Sequence, residues 1–367
     1  MASFKRYLRI LMKQNIRKLN YKITKSFHGL TIEAFLHRKR YTRGMISGLK
    51  KVKYVENGVT HYGIEKNGQW AFSIDLLNDG DLLSISFLEM EAEDSAAPYS
   101  LPLDIVYEDE DILLLNKPAG IPSHPSPGHY EGTLAGAASY YYKEIKGIQP
   151  FVCRMIHRLD LDTSGLLLLG KNKFSGSLLN QDMRARRIER CYTAFCHGNP
   201  ALAFENTTSP YSVSKENEKN SGNSGNPGIP DSLPTSLKIL PGLEKTGGIL
   251  RISAPIQRVE NEYMLREVHF QNGQEAVTNI LSVEYFPEKD FSRIKLRLET
   301  GRTHQIRVHL SYIGCPLLGD SLYGGSAYTP YMERQALHSS SIEFFHPENG
   351  EKMQFEIPLP RDMQELL

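Results

Sequence analysis

The four cysteines of this chain, Cys153, Cys191, Cys196 and Cys315, include no Cys-x-x-Cys pair, which argues against a structural zinc site. They read most simply as reduced, buried thiols of a cytoplasmic protein. No stretch approaches the ~18 uninterrupted apolar residues of a membrane span, and Met1–Met12 lacks the apolar run and small-residue cleavage site of a signal peptide. A membrane is therefore not an expected partner. Acids are missing before Glu33, as in an organellar transit peptide, but serine is sparse there too, which argues against one. Neither a P-loop nor a GxGxxG fingerprint occurs. His304 and His309 sit five residues apart, the wrong interval for a helical metal pair. No cofactor and no metal is expected.

What is present is a chain of 367 residues with 40% apolar and 23% charged residues. That composition is ordinary for a globular protein, and the length favours two domains. The net charge of +1 conceals an asymmetry. Residues 1–70 carry 16 Lys or Arg against 3 acids, a net of +13, so the rest of the chain carries −12. A strongly basic end on an acidic remainder suggests a polyanion-binding module; a basic tail that merely aids solubility is the alternative.

The basic end has the pattern of folded chain. Gly29–Leu36 and Thr42–Leu49 have apolar residues at helical spacing, and Val52–Gly58, Trp70–Ile74 and Leu82–Phe87 read as strands, the last after the turn Asn78–Asp81. Glu89–Pro102 is acidic, rich in small residues and flanked by proline, hence a linker. The expected domains are 1–88, a linker 89–103, and 104–367. Within the last, 205–246 is an expected disordered insertion, because Asn206–Pro234 is almost devoid of apolar anchors.

Strands are expected at Ile105–Tyr107 and Ile112–Leu115, followed by the stiff loop Asn116–Pro122. The apolar run Leu166–Leu169 reads as a buried strand fed by the polar segment His157-Arg158-Leu159-Asp160-Leu161-Asp162-Thr163. A carboxylate held there beside Arg158 suits an acid positioned in a cleft as well as a capped surface turn. Lys173–Asn180 fits a helix. Ala276–Tyr285 and Ser292–Glu299 fit strands, and they deliver Thr300-Gly301-Arg302-Thr303-His304 to a helix Gln305–Tyr312.

His157-Arg158-Leu159-Asp160 with Thr163-Ser164-Gly165, then Thr300–Leu310, Gly319-Asp320 and Leu322-Tyr323-Gly324, resemble in order the signature blocks of the RluA-type RNA pseudouridine synthases. Asn116–Pro122 resembles the first block of that family. The resemblance implies an α+β fold: a mixed, largely antiparallel sheet flanked by helices, with a central cleft. It implies isomerisation of uridine to pseudouridine without a cofactor, on a base flipped out of its stack. Asp160 is the implied catalytic residue, either attacking the anomeric carbon or removing a ribose proton. Tyr192, in Glu189–Ala194 where the family has a lysine in place of Arg190, is the implied stacking residue. Arg307 is the implied partner of Asp160, keeping it ionised. Candidate substrate contacts are His157, Arg158, Lys117, Thr163, Arg302, His304 and Gln305, with His124 as a loop histidine near the channel.

The basic end, two short helices followed by strands ending in Gly-Asp, resembles the small α/β S-four-type RNA-binding domain, though its usual compact Asn-Gly segment is stretched into Glu56–Lys66. Its candidate phosphate contacts are Arg38, Lys39, Arg40, Arg43, Lys50, Lys51 and Lys53. A cytoplasmic monomer acting on RNA is expected, with large-subunit ribosomal RNA favoured and transfer RNA the alternative. A non-catalytic RNA-binding or ribosome-assembly factor on the same fold is the rival reading. A glycosidase would need a second carboxylate ~5–10 Å away, and Asp162 is the only nearby candidate.

Overall fold

The computed structural model describes residues 13–90, 96–126, 130–205, 240–324 and 332–367. Two compact units form. One contains the described chain up to Arg190 with His338–Pro360; the other contains Cys191–Leu337 and Arg361–Leu367. The class is α+β, strand-rich with mostly antiparallel neighbours and few helices. Among the described residues no helix is long and apolar enough to cross a membrane.

In the first unit, the strand Ile16–Lys22 pairs antiparallel with Leu82–Leu88, which pairs on its other side with Ile64–Lys66, and Gln69–Trp70 forms the sheet edge. The helices Ile32–Arg38 and Arg43–Leu49 each start at a threonine. Thr31 and Thr42 accept from the backbone N–H three residues on, satisfying a donor that a helix start leaves without a partner. The expected strand Trp70–Ile74 is cut short after Trp70. Ala71 still donates to the Ile64 carbonyl, but Asp75 N then closes a turn onto the Phe72 carbonyl.

This N-terminal layer shares a core with the rest of its unit. Phe35, Leu36, Tyr41, Ile46, Leu83 and Phe87 cluster with Phe174 and Leu178 of the helix Lys173–Arg184. Arg17 grips Asp111 with two hydrogen bonds of 3.0 and 2.7 Å. Glu89, at the start of the expected linker, is buried; it accepts from Arg154 Nη2 at 2.6 Å and from Lys173 N at 2.8 Å. A carboxylate loses its hydration there only because two donors replace it. Residues 91–95 of that expected linker lie outside the described residues.

The strand Ser164–Gly170 is buried throughout, as its leucines require. It lies between Ile112–Lys117, antiparallel with Gly165 opposite Lys117, and Leu337–Phe345, parallel with Gly165 opposite Ser339. Gly165, at φ +112°, permits this approach: a Cβ there would meet the Ser339 carbonyl oxygen at 2.3 Å. Its residues are buried whichever face they lie on, which is why no alternation shows in the leucine run.

In the second unit, Glu189–His197, Phe291–Leu298, Val277–Phe286, Ile249–Ser253 and Leu243–Thr246 lie side by side, all antiparallel. The last strand corrects the limits of the expected insertion. Residues 243–246 are ordered because the ladder with Ile249–Ser253 satisfies their backbone. The stretch Asn206–Pro234, on which that expectation rested, lies outside the described residues.

Candidate active site

The Asp160 loop is built from behind. Lys117 ends its strand fully buried, and its ammonium donates to the carbonyls of Pro118, Ile121 and Leu161 at 2.8, 2.7 and 2.7 Å. An ammonium has three protons, and these three carbonyls use them. Lys117, a candidate substrate contact in the sequence, is therefore a clamp in the structure. Ser123 adds a second tie, donating to the Leu159 carbonyl at 2.7 Å and accepting from Leu159 N at 3.2 Å. Gly120 N also donates to the Leu161 carbonyl. Both neighbours of Asp160 are thus held by the Pro118–Ser123 segment, and Thr163 N closes the turn onto the Asp160 carbonyl at 3.2 Å. Asp160 itself is half-buried, Arg158 is exposed, and Thr163 is buried.

His157 is corrected as well. It is buried, its Nε2 accepts from Leu168 N at 3.3 Å, and burial with the nearby Arg190 charge pushes its pKa down to about 3. Its neutral imidazole thus braces the core strand through Nε2. His124 is also biased toward neutrality, first by burial and then by the charge of Arg158.

The second unit carries a loop of the same construction. Gln305, at the start of the helix Gln305–Tyr312, is buried. Its oxygen accepts from Thr300 Oγ1 at 2.8 Å and Arg302 N at 3.0 Å, and its amide donates to Val277 O and Thr278 Oγ1, both at 3.0 Å. The side chain's two donors and two acceptor sites are thereby occupied. Gln305 holds the Thr300–His304 turn, which corrects its expected substrate role. His304 takes a left-handed conformation, φ +56°, at the head of the helix. Its Nδ1 lies 2.9 Å from Tyr323 Oη, which also accepts from Arg266 N at 3.0 Å. Arg302 is exposed, its Nε donating to the Glu275 carbonyl at 2.9 Å.

Arg307 is buried and makes a bidentate pair with Asp320, at 2.7 and 2.8 Å, while its guanidinium lies 5.0 Å from the Tyr323 ring centre. Asp320 in turn accepts from Leu322 N and Tyr323 N, both at 3.1 Å. This fork and stack fix the plane of the guanidinium. Asp320 and Tyr323 lie within a matching block of the sequence that assigns neither a role, and no motif marks Arg266. His309 is buried between Thr278 Oγ1 and the Ala254 carbonyl, and burial pushes its pKa down to about 4. Tyr192 is buried in the strand Glu189–His197, opposite Leu296.

Of the basic candidates near the N-terminus, Arg38, Arg43 and Lys51 are exposed. Lys39 lies over the rings of Tyr21, Phe27 and Phe35 at 5.7 to 5.9 Å, Lys53 lies 5.9 Å from the Tyr62 ring, and Lys50 is 3.6 Å from Glu33. Arg40 is a correction. It pairs with the buried Asp182, which Arg187 also contacts, so its charge is consumed within the fold.

The family model described as RNA pseudouridylate synthase matches residues 111–312. The protein named "Uncharacterized RNA pseudouridine synthase YjbO" from Bacillus subtilis (strain 168) is 34% identical over 304 residues, covering 83% of this chain and 89% of that protein. "Ribosomal large subunit pseudouridine synthase D" is 34% identical over 300 residues in Yersinia pestis, covering 78% and 76% of the two chains. The protein of the same name from Escherichia coli (strain K12) is 33% identical over 291 residues, covering 76% and 74%.

Proposed function

This chain belongs to the RNA pseudouridylate synthase family, and we propose that its substrate is large-subunit ribosomal RNA, modified in the cytoplasm by a monomeric enzyme. The observation that carries the substrate is the likeness to relatives named as ribosomal large subunit pseudouridine synthases over more than three quarters of the chain.

Isomerisation must break the carbon–nitrogen glycosidic bond, turn the uracil and rejoin it through carbon, so the uridine has to leave its stack. Asp160 is the proposed catalytic residue. Its half-buried position on a loop tied at Leu159 and Leu161 supports this, because a reacting carboxylate must be held still. Tyr192 supplies a ring for the detached base. Arg307, oriented by Asp320 and Tyr323, is the cation assigned to the carboxylate. Arg158, Arg302 and His304 are the proposed contacts to RNA, with exposed Arg158 suited to the gap that the flipped base leaves. Residues 1–88 act as an S-four-like RNA-binding module through Arg38, Lys39, Arg43, Lys50, Lys51 and Lys53.

The test maps pseudouridine by carbodiimide modification and reverse transcription in total RNA from a deletion strain complemented with wild type or Asp160→Asn. Ribosomal sites should vanish on deletion and return only with wild type. In single-turnover assays Asp160→Asn should lose on the order of 10³-fold or more in rate. Restoration by Asp160→Asn would remove Asp160 from the chemistry. Sites found in transfer RNA would replace the substrate assignment.

A further inference from the structure

The N-terminal sheet leaves two aromatic rings, Trp70 and Phe72, in solvent at its Gln69–Trp70 edge, with half-buried Tyr62 beside them. Trp70 lies 5.5 Å from Tyr62 with ring planes 29° apart, and 4.5 Å from Phe72 at 48°. Trp70 and Phe72 are each 55% exposed, whereas the intervening Ala71 is 4% exposed. The outward direction of the two rings is therefore imposed by the buried residue between them. Phe72 is held by a turn, its N–H donating to Asp75 Oδ2 at 2.8 Å and its carbonyl accepting from Asp75 N at 3.0 Å. Clustered exposed rings of this size mark a contact surface rather than chance exposure.

A cation lies beside the rings. The Lys53 ammonium lies 5.9 Å from the Tyr62 ring centre, and Lys66 Nζ donates to the Leu76 carbonyl, beyond Phe72 in the chain. The whole region 1–70 carries a net +13. Flat π faces beside ammonium groups match unpaired nucleobases on a phosphate backbone, where stacking holds the bases and charge holds the strand. Ile74 and Leu76 are exposed nearby, and a protein partner is the competing occupant. The excess of positive charge favours RNA.

We propose that Trp70, Phe72 and Tyr62 form a stacking platform for unpaired nucleotides of the RNA substrate. The platform is a binding surface separate from the Asp160 loop, and it rests on the reading of the N-terminal region as an RNA-binding module.

Trp70 is the chain's one tryptophan, so its emission reports on this surface alone. The full-length protein is titrated with an unstructured oligouridine strand, with a duplex RNA of equal length, and with heparin as a polyanion without bases. The single strand should quench Trp70 saturably, and heparin should bind without quenching. By anisotropy of a labelled strand, Trp70→Ala and Phe72→Ala should each weaken binding about ten-fold, with the logarithmic salt slope unchanged because no charge is lost. Trp70→Tyr should retain most of the affinity. Lys51→Ala and Arg38→Ala should instead each reduce the salt slope by about one. If the basic variants weaken binding while the ring variants do not, the platform is overturned and the RNA-binding module stands. If neither set changes binding, the module reading falls as well. If Trp70→Ala alters self-association by light scattering and leaves RNA binding intact, the surface is a protein interface and the proposal is wrong.

Discussion

The two loops bearing the family blocks and the basic N-terminal layer carry candidate residues in opposite ways. In the loops, several motif positions face inward: Lys117, His157 and Gln305 are buried, with Lys117 and Gln305 spending their hydrogen bonds on backbone and neighbouring side chains and His157 accepting one from a core strand. The proposed substrate contacts Arg158, Arg302 and His304 lie next to or near these clamps in the chain. In the N-terminal layer, Arg38, Arg43 and Lys51 are exposed. The motif blocks are therefore largely scaffolding, whereas the basic layer divides between cations engaged within the fold, such as Lys39, Arg40 and Lys50, and cations exposed to solvent. Polyanion binding tolerates loosely placed charge; bond rearrangement at one atom does not.

Substituting the clamps should break this contrast most strongly. Lys117→Met keeps the stem but leaves three carbonyls without their donor, and urea denaturation should show a loss of about 2–4 kcal/mol with an unchanged m-value. Activity should fall with it, since the Asp160 loop loses its tie. Gln305→Leu should cost about 2–3 kcal/mol for the same reason, and a loss below about 0.5 kcal/mol in either variant would contradict the clamp assignment.

The buried histidines sharpen the comparison through pH. His309 and His157 have folded pKa values pushed down to about 4 and about 3. The unfolded chain takes up their protons first, near pH 6.5. Their stability contribution is complete above that pH and declines as pH falls, by up to about 1.4 kcal/mol per pH unit for each histidine. His346 runs the other way, because its bond to Asp109 raises its pKa; its contribution is present at low pH and lost as pH rises through the raised value. Denaturation of His309→Asn between pH 7.5 and 5 should show a shallower decline than wild type, and equal slopes would exclude His309 as a source. The smallest effect belongs to the surface. Arg38→Ala and Lys51→Ala should shift stability by no more than about 0.5 kcal/mol, and a larger loss would mean that those cations support the fold.

Much of the architecture was legible in the chain. The leucine run, the strands after Ala276 and the helix Gln305–Tyr312 follow from hydrophobic period, and the observed helix has the expected limits. The strand Ile16–Lys22 is not marked by the sequence, because Arg17, Lys18, Asn20 and Lys22 mask an alternation whose meaning depends on its partner Leu82–Leu88. The truncation of Trp70–Ile74 was equally hidden, since a turn closed by Asp75 competes with pairing only in three dimensions.

By itself, the sequence determined the family, the class of fold, and which loops carry the polar residues, since local period and motif order are written along one dimension. Which way each polar side chain faces was decided only by tertiary structure. Lys117 and Arg40 look in sequence like any phosphate-seeking cation. One is buried against three carbonyls supplied by residues up to 44 positions away, the other is paired with Asp182 across 142 positions. A cation's role depends on what replaces its water, and those partners meet only when the chain has folded.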